Sequence, residues 1–257
     1  MLEVLNMTND IRLKKYYMIF IVVIMFLVGF IAGNTFIPRN TPVEYSQPDL
    51  REERAVSMLM PAIDTEGNGV IGTLLTTVKP GSGKILLDTS KVLNYIDTQL
   101  SGRIAAEAAS RYAKVNLSSI DIVYTVKVNA SLVEGPSAGA SMALSVLLAL
   151  DNKTSGDITI TGTISPDGSI GKVGSILEKA RIAKASGVKV FLVPKDQSNV
   201  EDTKRDKICN YVNALTVCKI TYVAEKISLE KYLNITVREV GTLGEAYYYF
   251  TMKRETI

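Results

Sequence analysis

Gly135-Pro136-Ser137-Ala138-Gly139 fits G-x-S-x-G, a pattern that exposes a serine hydroxyl at the start of a helix. In most hydrolases a histidine takes the proton from such a serine. This chain of 257 residues contains no histidine, so a Ser-His-Asp arrangement is excluded outright. If Ser137 is a nucleophile, its base is another side chain, and lysine is the best-attested substitute. The search for chemistry becomes a search for a lysine whose surroundings can strip its charge.

The helical stretch read over Gly174–Ser186 offers Lys179, Arg181 and Lys184. At about 100° per residue, Lys179 shares a face with Ile176, Ala180 and Ala183, whereas Arg181 lies about 200° away and Lys184 about 140° away. Only Lys179 points into the apolar, small-residue side. Burying it there lowers its pKa; a fall from about 10.4 to 7 costs roughly 4.6 kcal/mol. The alternative is a side chain that snorkels along its stem to water. Other candidates fail on context. Ser169-Ile170-Gly171-Lys172 and Ser186-Gly187-Val188-Lys189 fit S-x-x-K but sit in a turn and at a helix end, with no K-T-G or S-D-N elsewhere. Gly81-Ser82-Gly83-Lys84 lacks the glycine and Ser/Thr of a phosphate loop, since Val78 and Ile85 stand there. No metal site and no cofactor are expected, because two cysteines without histidine make a poor zinc ligand set. A net charge of +3 spread along the chain gives no nucleic-acid stripe.

The elements that must position these residues follow from pattern. Residues 56–62 and 69–78 read as a hairpin around Asp64-Thr65-Glu66-Gly67-Asn68-Gly69, followed by a short strand at 84–88. A helix is expected from Ser90 to Val115, with Val92, Ile96, Leu100, Ile104, Ala108 and Tyr112 as its apolar stripe. A strand over Ile120–Val128 leads to the Ser137 loop. Ser137–Leu150 is so apolar that it must be a helix buried on all sides. Strands at Asp157–Ile164, Val188–Val193 and Ile220–Val223 and a last helix over Leu243–Met252 complete a mixed α/β (α+β) domain.

Upstream, residues 16–33 are apolar and uncharged, long enough at eighteen residues for a membrane-spanning helix. A cleaved signal peptide has a shorter apolar region, about 7 to 15 residues, so an anchor is the preferred reading; Ala32-Gly33 leaves cleavage open. Arg12, Lys14 and Lys15 precede the span and only Arg39 follows closely, which puts the N-terminus inside and the bulk outside. The resulting order is a cytoplasmic tail (1–15), an anchor (16–33), a Pro-containing stalk (34–55) and a folded domain (56–257). Sequons at Asn116, Asn129, Asn152 and Asn234 agree with an exterior location. Cys209 and Cys218 form either a small disulfide loop or two buried thiols.

Glu134-Gly135-Pro136-Ser137-Ala138-Gly139 followed by an apolar helix resembles the nucleophile segment of Lon-type proteases. Thr161-Gly162-Thr163-Ile164, then Gly168, Gly174 and Lys179, resembles that family's T-G-x-I … G … G-x-x-x-x-K stretch, and residues 183–194 are similar as well. The resemblance runs from about Val56 to Met252. It implies that Ser137 is the nucleophile, Lys179 the general base and later acid, and that the Thr161 hydroxyl orients the lysine amine. Glu134 stands where the family often has an acidic residue near the site, while Gly135, Pro136 and Ala138 shape the loop. One departure is Ser175, where the family usually has a second glycine beside Gly174. Lon proteases also carry an ATP-driven unfoldase domain that is not seen here. The resemblance therefore implies a membrane-anchored, ATP-independent serine endopeptidase acting on unfolded or flexible proteins through an acyl-enzyme, with a homo-oligomeric ring as its assembly. A catalytically silent Lon-like module for binding or assembly, and a Ser–Lys esterase or amidase on small substrates, are the competing expectations.

Overall fold

The computed structural model describes residues 15–30, 44–48, 50–88, 93–94, 96–128, 132–133, 135–212 and 215–251. They fall into two compact units, residues 1–44 and 45–257. Of the first unit, residues 15–30 form helix α1, with every residue exposed. Among the described residues no helix is long and apolar enough to cross a membrane. Residues 31–33, which complete the expected anchor, lie outside the described residues.

In the second unit, alternation of buried and exposed side chains builds a four-stranded sheet in the order β1-β2-β5-β3. Strands β1 (Arg54–Ile63) and β2 (Gly69–Pro80) form the expected hairpin; β5 (Ile120–Val128) pairs antiparallel with β2, and β3 (Ile85–Asp88) runs parallel to β5 at the edge. Asp64 closes the hairpin by accepting hydrogen bonds from the backbone of Glu66 and Asn68. A second, parallel sheet has the order β13-β10-β7, from β7 (Ile158–Ile160), β10 (Val190–Pro194) and β13 (Thr236–Val240). Helix α3 (Gly139–Leu150) packs on β1, β2 and helix α2 (Ile96–Ala113), and is buried from Gly139 to Ala149. Its two internal serines are satisfied: Ser141 donates to the Ile160 carbonyl, and Ser145 meets Thr76 across a buried 2.7 Å hydrogen bond.

Helix α2 departs from the expected stripe. Leu100 and Tyr112 are about half exposed; Ala108 of that stripe is buried, but it is joined by Ser101, Gly102, Ala105, Ala106 and Ala109. Small residues let α2 and α3 approach closely, and that contact decides the face more strongly than side-chain size does. Among the described residues five strands went unread: the two-residue β4 (Leu93–Asn94), β6 (Leu132–Val133) and β9 (Ile170–Gly171), the last paired with β8 (Thr163–Ile164), and two longer ones. β11 (Asn199–Val212) pairs with a longer β12 (Leu215–Ser228) than the Ile220–Val223 stretch suggested, and β13 follows the short helix α5 (Leu229–Leu233). Cys209 and Cys218 are register partners in this hairpin and are disulfide-bonded. The last helix, α6, spans Leu243–Thr251.

The end of the expected stalk is part of the compact unit. Ser46 bridges Val115, its N–H reaching the Lys114 carbonyl at 2.8 Å, and Leu50 is buried in the main core. Asn116 caps a turn through its own side chain, whereas Asn152 and Asn234 stand exposed at positive-φ turns; Asn129 lies outside the described residues.

The small-residue face of α2 has a direct test in urea unfolding. Replacing the fully buried Ala109 with leucine overfills the α2–α3 contact and is expected to destabilise by about 1–3 kcal/mol. Leu100→Ala, on the face that sequence pattern alone would bury, is expected to change stability by roughly 0.5 kcal/mol or less.

Candidate active site

The serine is held by backbone geometry. Gly135 has φ +94°, a conformation that side chains resist, and Pro136–Ala138 make a single 3-10 turn before α3 begins at Gly139. Helix α3 thus starts two residues later than the pattern suggests. A two-way bridge ties the turn to the segment after β7: the Gly162 N–H donates to the Ser137 carbonyl, and the Ala140 N–H donates to the Gly162 carbonyl, both at 3.0 Å. A β-carbon on Gly139 would stand 2.8 Å from the Ile164 side chain, so only glycine lets the two segments lie this close.

The lysine is held by helix α4 (Ile176–Ala185), whose buried face is Ile176, Leu177, Lys179, Ala180 and Ala183. Lys179 is 4% exposed, which removes the snorkelling alternative. Its two neighbours turn outward as the helical angles required. Arg181 lies over the Tyr232 ring, and Lys184 donates to the Leu233 carbonyl. No carboxylate among the described residues forms an ion pair with Lys179. Loss of hydration on burial brings its pKa down from 10.5 to about 8.

Ser137 and Lys179 line one cavity of about 300 Å³, together with Gly135, Pro136, Thr163, Gly174 and Ser175. Ile63 at the end of β1 and the Lys172–Val173 segment complete its wall. Thr161 is buried beside this cavity, but its hydroxyl donates to the Ser137 carbonyl at 3.4 Å; the bond formed is to the serine's backbone and not to the lysine amine. Ala138 packs against the main core, and Glu134 lies outside the described residues.

Three residues take parts at the site that sequence reasoning did not assign them. Lys172, set aside above as a turn residue, reaches the cavity wall and pairs with Asp196 at 3.4 Å. Gln197 clamps the wall: its side chain accepts from the Val173 N–H at 3.0 Å and donates to the Val173 carbonyl at 2.7 Å, copying a strand-to-strand bond. Ser175 caps α4 in the left-handed region, φ 53° and ψ 40°. Its place in the family's glycine pair was the one available signal for that conformation.

Two stability measurements follow. Between about pH 8 and 10.5 the unfolded chain keeps a proton on Lys179 that the native chain has lost, so native stability rises with pH across that window. Below pH 8 both states are protonated and the native state bears the burial penalty, on the order of 3 kcal/mol. Urea unfolding at about pH 7.5 and pH 10 should show this gain in the wild type and lose it in Lys179→Met. Separately, Ser175→Gly should stabilise by about 1 kcal/mol, by relieving a left-handed serine.

The chain was compared with known proteins. It matches the family described as Lon protease (S16) C-terminal proteolytic domain over residues 46–230. It is 28% identical over 176 residues to the Lon protease of Vibrio parahaemolyticus, covering 65% of this chain and 22% of that protein. To the Lon protease of Buchnera aphidicola it is 30% identical over 175 residues, again 65% and 22% of the two chains. To that of Methanosarcina barkeri it is 31% identical over 173 residues, 62% of this chain and 20% of the relative. The chain thus spans about one fifth of the length of these relatives. With 185 consecutive residues (46 to 230 inclusive) matched to the family, and the G-x-S-x-G turn and the buried lysine within that span, the chain belongs to the Lon protease (S16) C-terminal proteolytic domain family.

Proposed function

We propose that this protein is a serine endopeptidase in which Ser137 is the nucleophile and Lys179 the general base. The observation that carries the reading is the shared cavity: a serine on a glycine-led 3-10 turn and a buried lysine with a pKa near 8 border the same 300 Å³ space. The neutral Lys179 amine takes the proton from the Ser137 hydroxyl as Oγ bonds to the carbonyl carbon of the scissile peptide. Negative charge moves to the carbonyl oxygen, where the positive end of α3 and the backbone N–H groups of its leading turn stabilise it. The ammonium so formed then returns its proton to the leaving nitrogen as the C–N bond breaks. An ester on Ser137 remains. Water, deprotonated by the same amine, attacks that ester, and Lys179 hands the proton back to Oγ as the acid leaves.

Each proton is accounted for by one amine, and water is the only co-reactant. We therefore propose cleavage without ATP, limited to unfolded proteins, peptides and flexible segments that can enter the cavity unaided. Residues 16–33 serve in this reading as a single-pass anchor in the cell membrane, with the N-terminus inside and the protease domain outside. Their support is an eighteen-residue uncharged run and the bias of basic residues before it. A homo-oligomeric ring is the proposed assembly, by analogy with the family.

Hydrolysis of casein without ATP, followed by release of acid-soluble peptide, tests this. Wild type is expected to cleave, with a rate that rises with pH through an apparent pKa near 8. Ser137→Ala and Lys179→Ala should each lower the rate by at least about a thousandfold. A folded wild type that leaves casein intact and fails to react with a serine-directed probe favours a silent Lon-like module. A rate unchanged in Lys179→Ala contradicts the mechanism.

A further inference from the structure

The hairpin of β11 and β12 is built unlike the rest of the domain. Its base is held, since Val200 and Ile227 pack against the second core of α4, β10 and β13. Beyond that base, its described tip residues are exposed on both faces. The register puts Ile220 and Tyr222 on one face with Lys207 and the disulfide, and Ile208 and Val217 on the other with Lys219. These four large apolar side chains are between 41% and 69% exposed. Residues 204–223 also carry four cations, Lys204, Arg205, Lys207 and Lys219, against the single anion Asp206.

A two-stranded ribbon is marginal in water without a third strand or a packed face. Here the Cys209–Cys218 bond holds the register instead, so the ribbon can keep its shape with neither face covered. A folded protein partner would cover one face and leave the other wet. A medium that can surround both faces and also favours cations is the headgroup region of an anionic bilayer. The unpaired outer backbone groups of both strands would limit entry to that interfacial depth.

We infer that the tip of this disulfide-held hairpin, around Ile208, Val217, Ile220 and Tyr222, inserts into the surface of membranes containing anionic lipid. Proteolysis plays no part in this inference, and a silent site at Ser137 would leave it standing. The anchor reading of residues 16–33 would keep such a surface near.

The chain contains no tryptophan, so a single introduced one reports its own surroundings. The full chain carrying Tyr222→Trp, and separately Ile208→Trp on the opposite face, is reconstituted with two kinds of vesicle. One is phosphatidylcholine alone and the other an equimolar mixture of phosphatidylcholine and phosphatidylglycerol, each with or without brominated acyl chains. The expected result is a blue-shifted emission, quenched by brominated lipid, for both tryptophans in the anionic vesicles. Lys207→Glu with Lys219→Glu should raise the phosphatidylglycerol fraction needed, weakening insertion at least about tenfold. Emission that stays water-like and unquenched overturns the inference. So does insertion that ignores lipid charge and the charge reversal. Quenching of one tryptophan but not the other also overturns it, by pointing to a one-faced contact. A blue shift that grows with protein concentration in the absence of lipid assigns the tip to a second copy of the chain and overturns it as well.

Discussion

Burying one ammonium group with no ion-pair partner among the described residues is the constraint on which the site depends. A lysine 4% exposed must either lose its proton or impose a penalty on the native state. The fold accepts that penalty because α4 packs on β1 and β2 of the four-stranded sheet and is itself part of the second core, with Ile176, Ala180 and Ala183 buried on the lysine's face. A carboxylate in the same place would restore the charge and raise the pKa, and the amine would cease to be a base near neutral pH. Apolar surroundings alone give a pKa of about 8, within reach of a neutral amine.

The serine side is governed by approach distance. Gly139 and Gly162 have no side chains where two segments touch, so the turn carrying Ser137 is bridged by two backbone hydrogen bonds to the chain leaving β7. Thr161 adds a third link, its hydroxyl donating to the Ser137 carbonyl. Across the cavity, Gln197 performs a comparable task for Val173, and Ser175 turns the chain into α4. Serine and lysine thus sit on separate supports whose geometry is set by main-chain contacts.

Much of this was legible in residue order. The absence of histidine and the helical angle of Lys179 together singled out a candidate base, which the structure buries, and the apolar run after Ser137 announced a helix buried on every side. The hairpin of β1 and β2 and the limits of β5 were equally readable from alternation and turn residues. What pattern could not supply came from contacts made at long range. The Gln197 clamp joins residues 24 apart and has no local signature. Helix α2 buries its small residues because α3 lies against them, so counting large apolar positions puts Leu100 and Tyr112 inside when they are half exposed. Strand β11 was missed because its described tip residues are exposed on both faces, leaving no alternation to detect.

The central claim is that a buried, neutral Lys179 activates Ser137. The most direct measurement is the pH dependence of Ser137 phosphonylation by a small serine-reactive probe, which requires neither a protein substrate nor a leaving amine. The rate should rise with an apparent pKa of about 8 and fall to background in Lys179→Met. A wild-type rate that climbs with hydroxide and shows no inflection, or one that survives intact in Lys179→Met, would contradict the account.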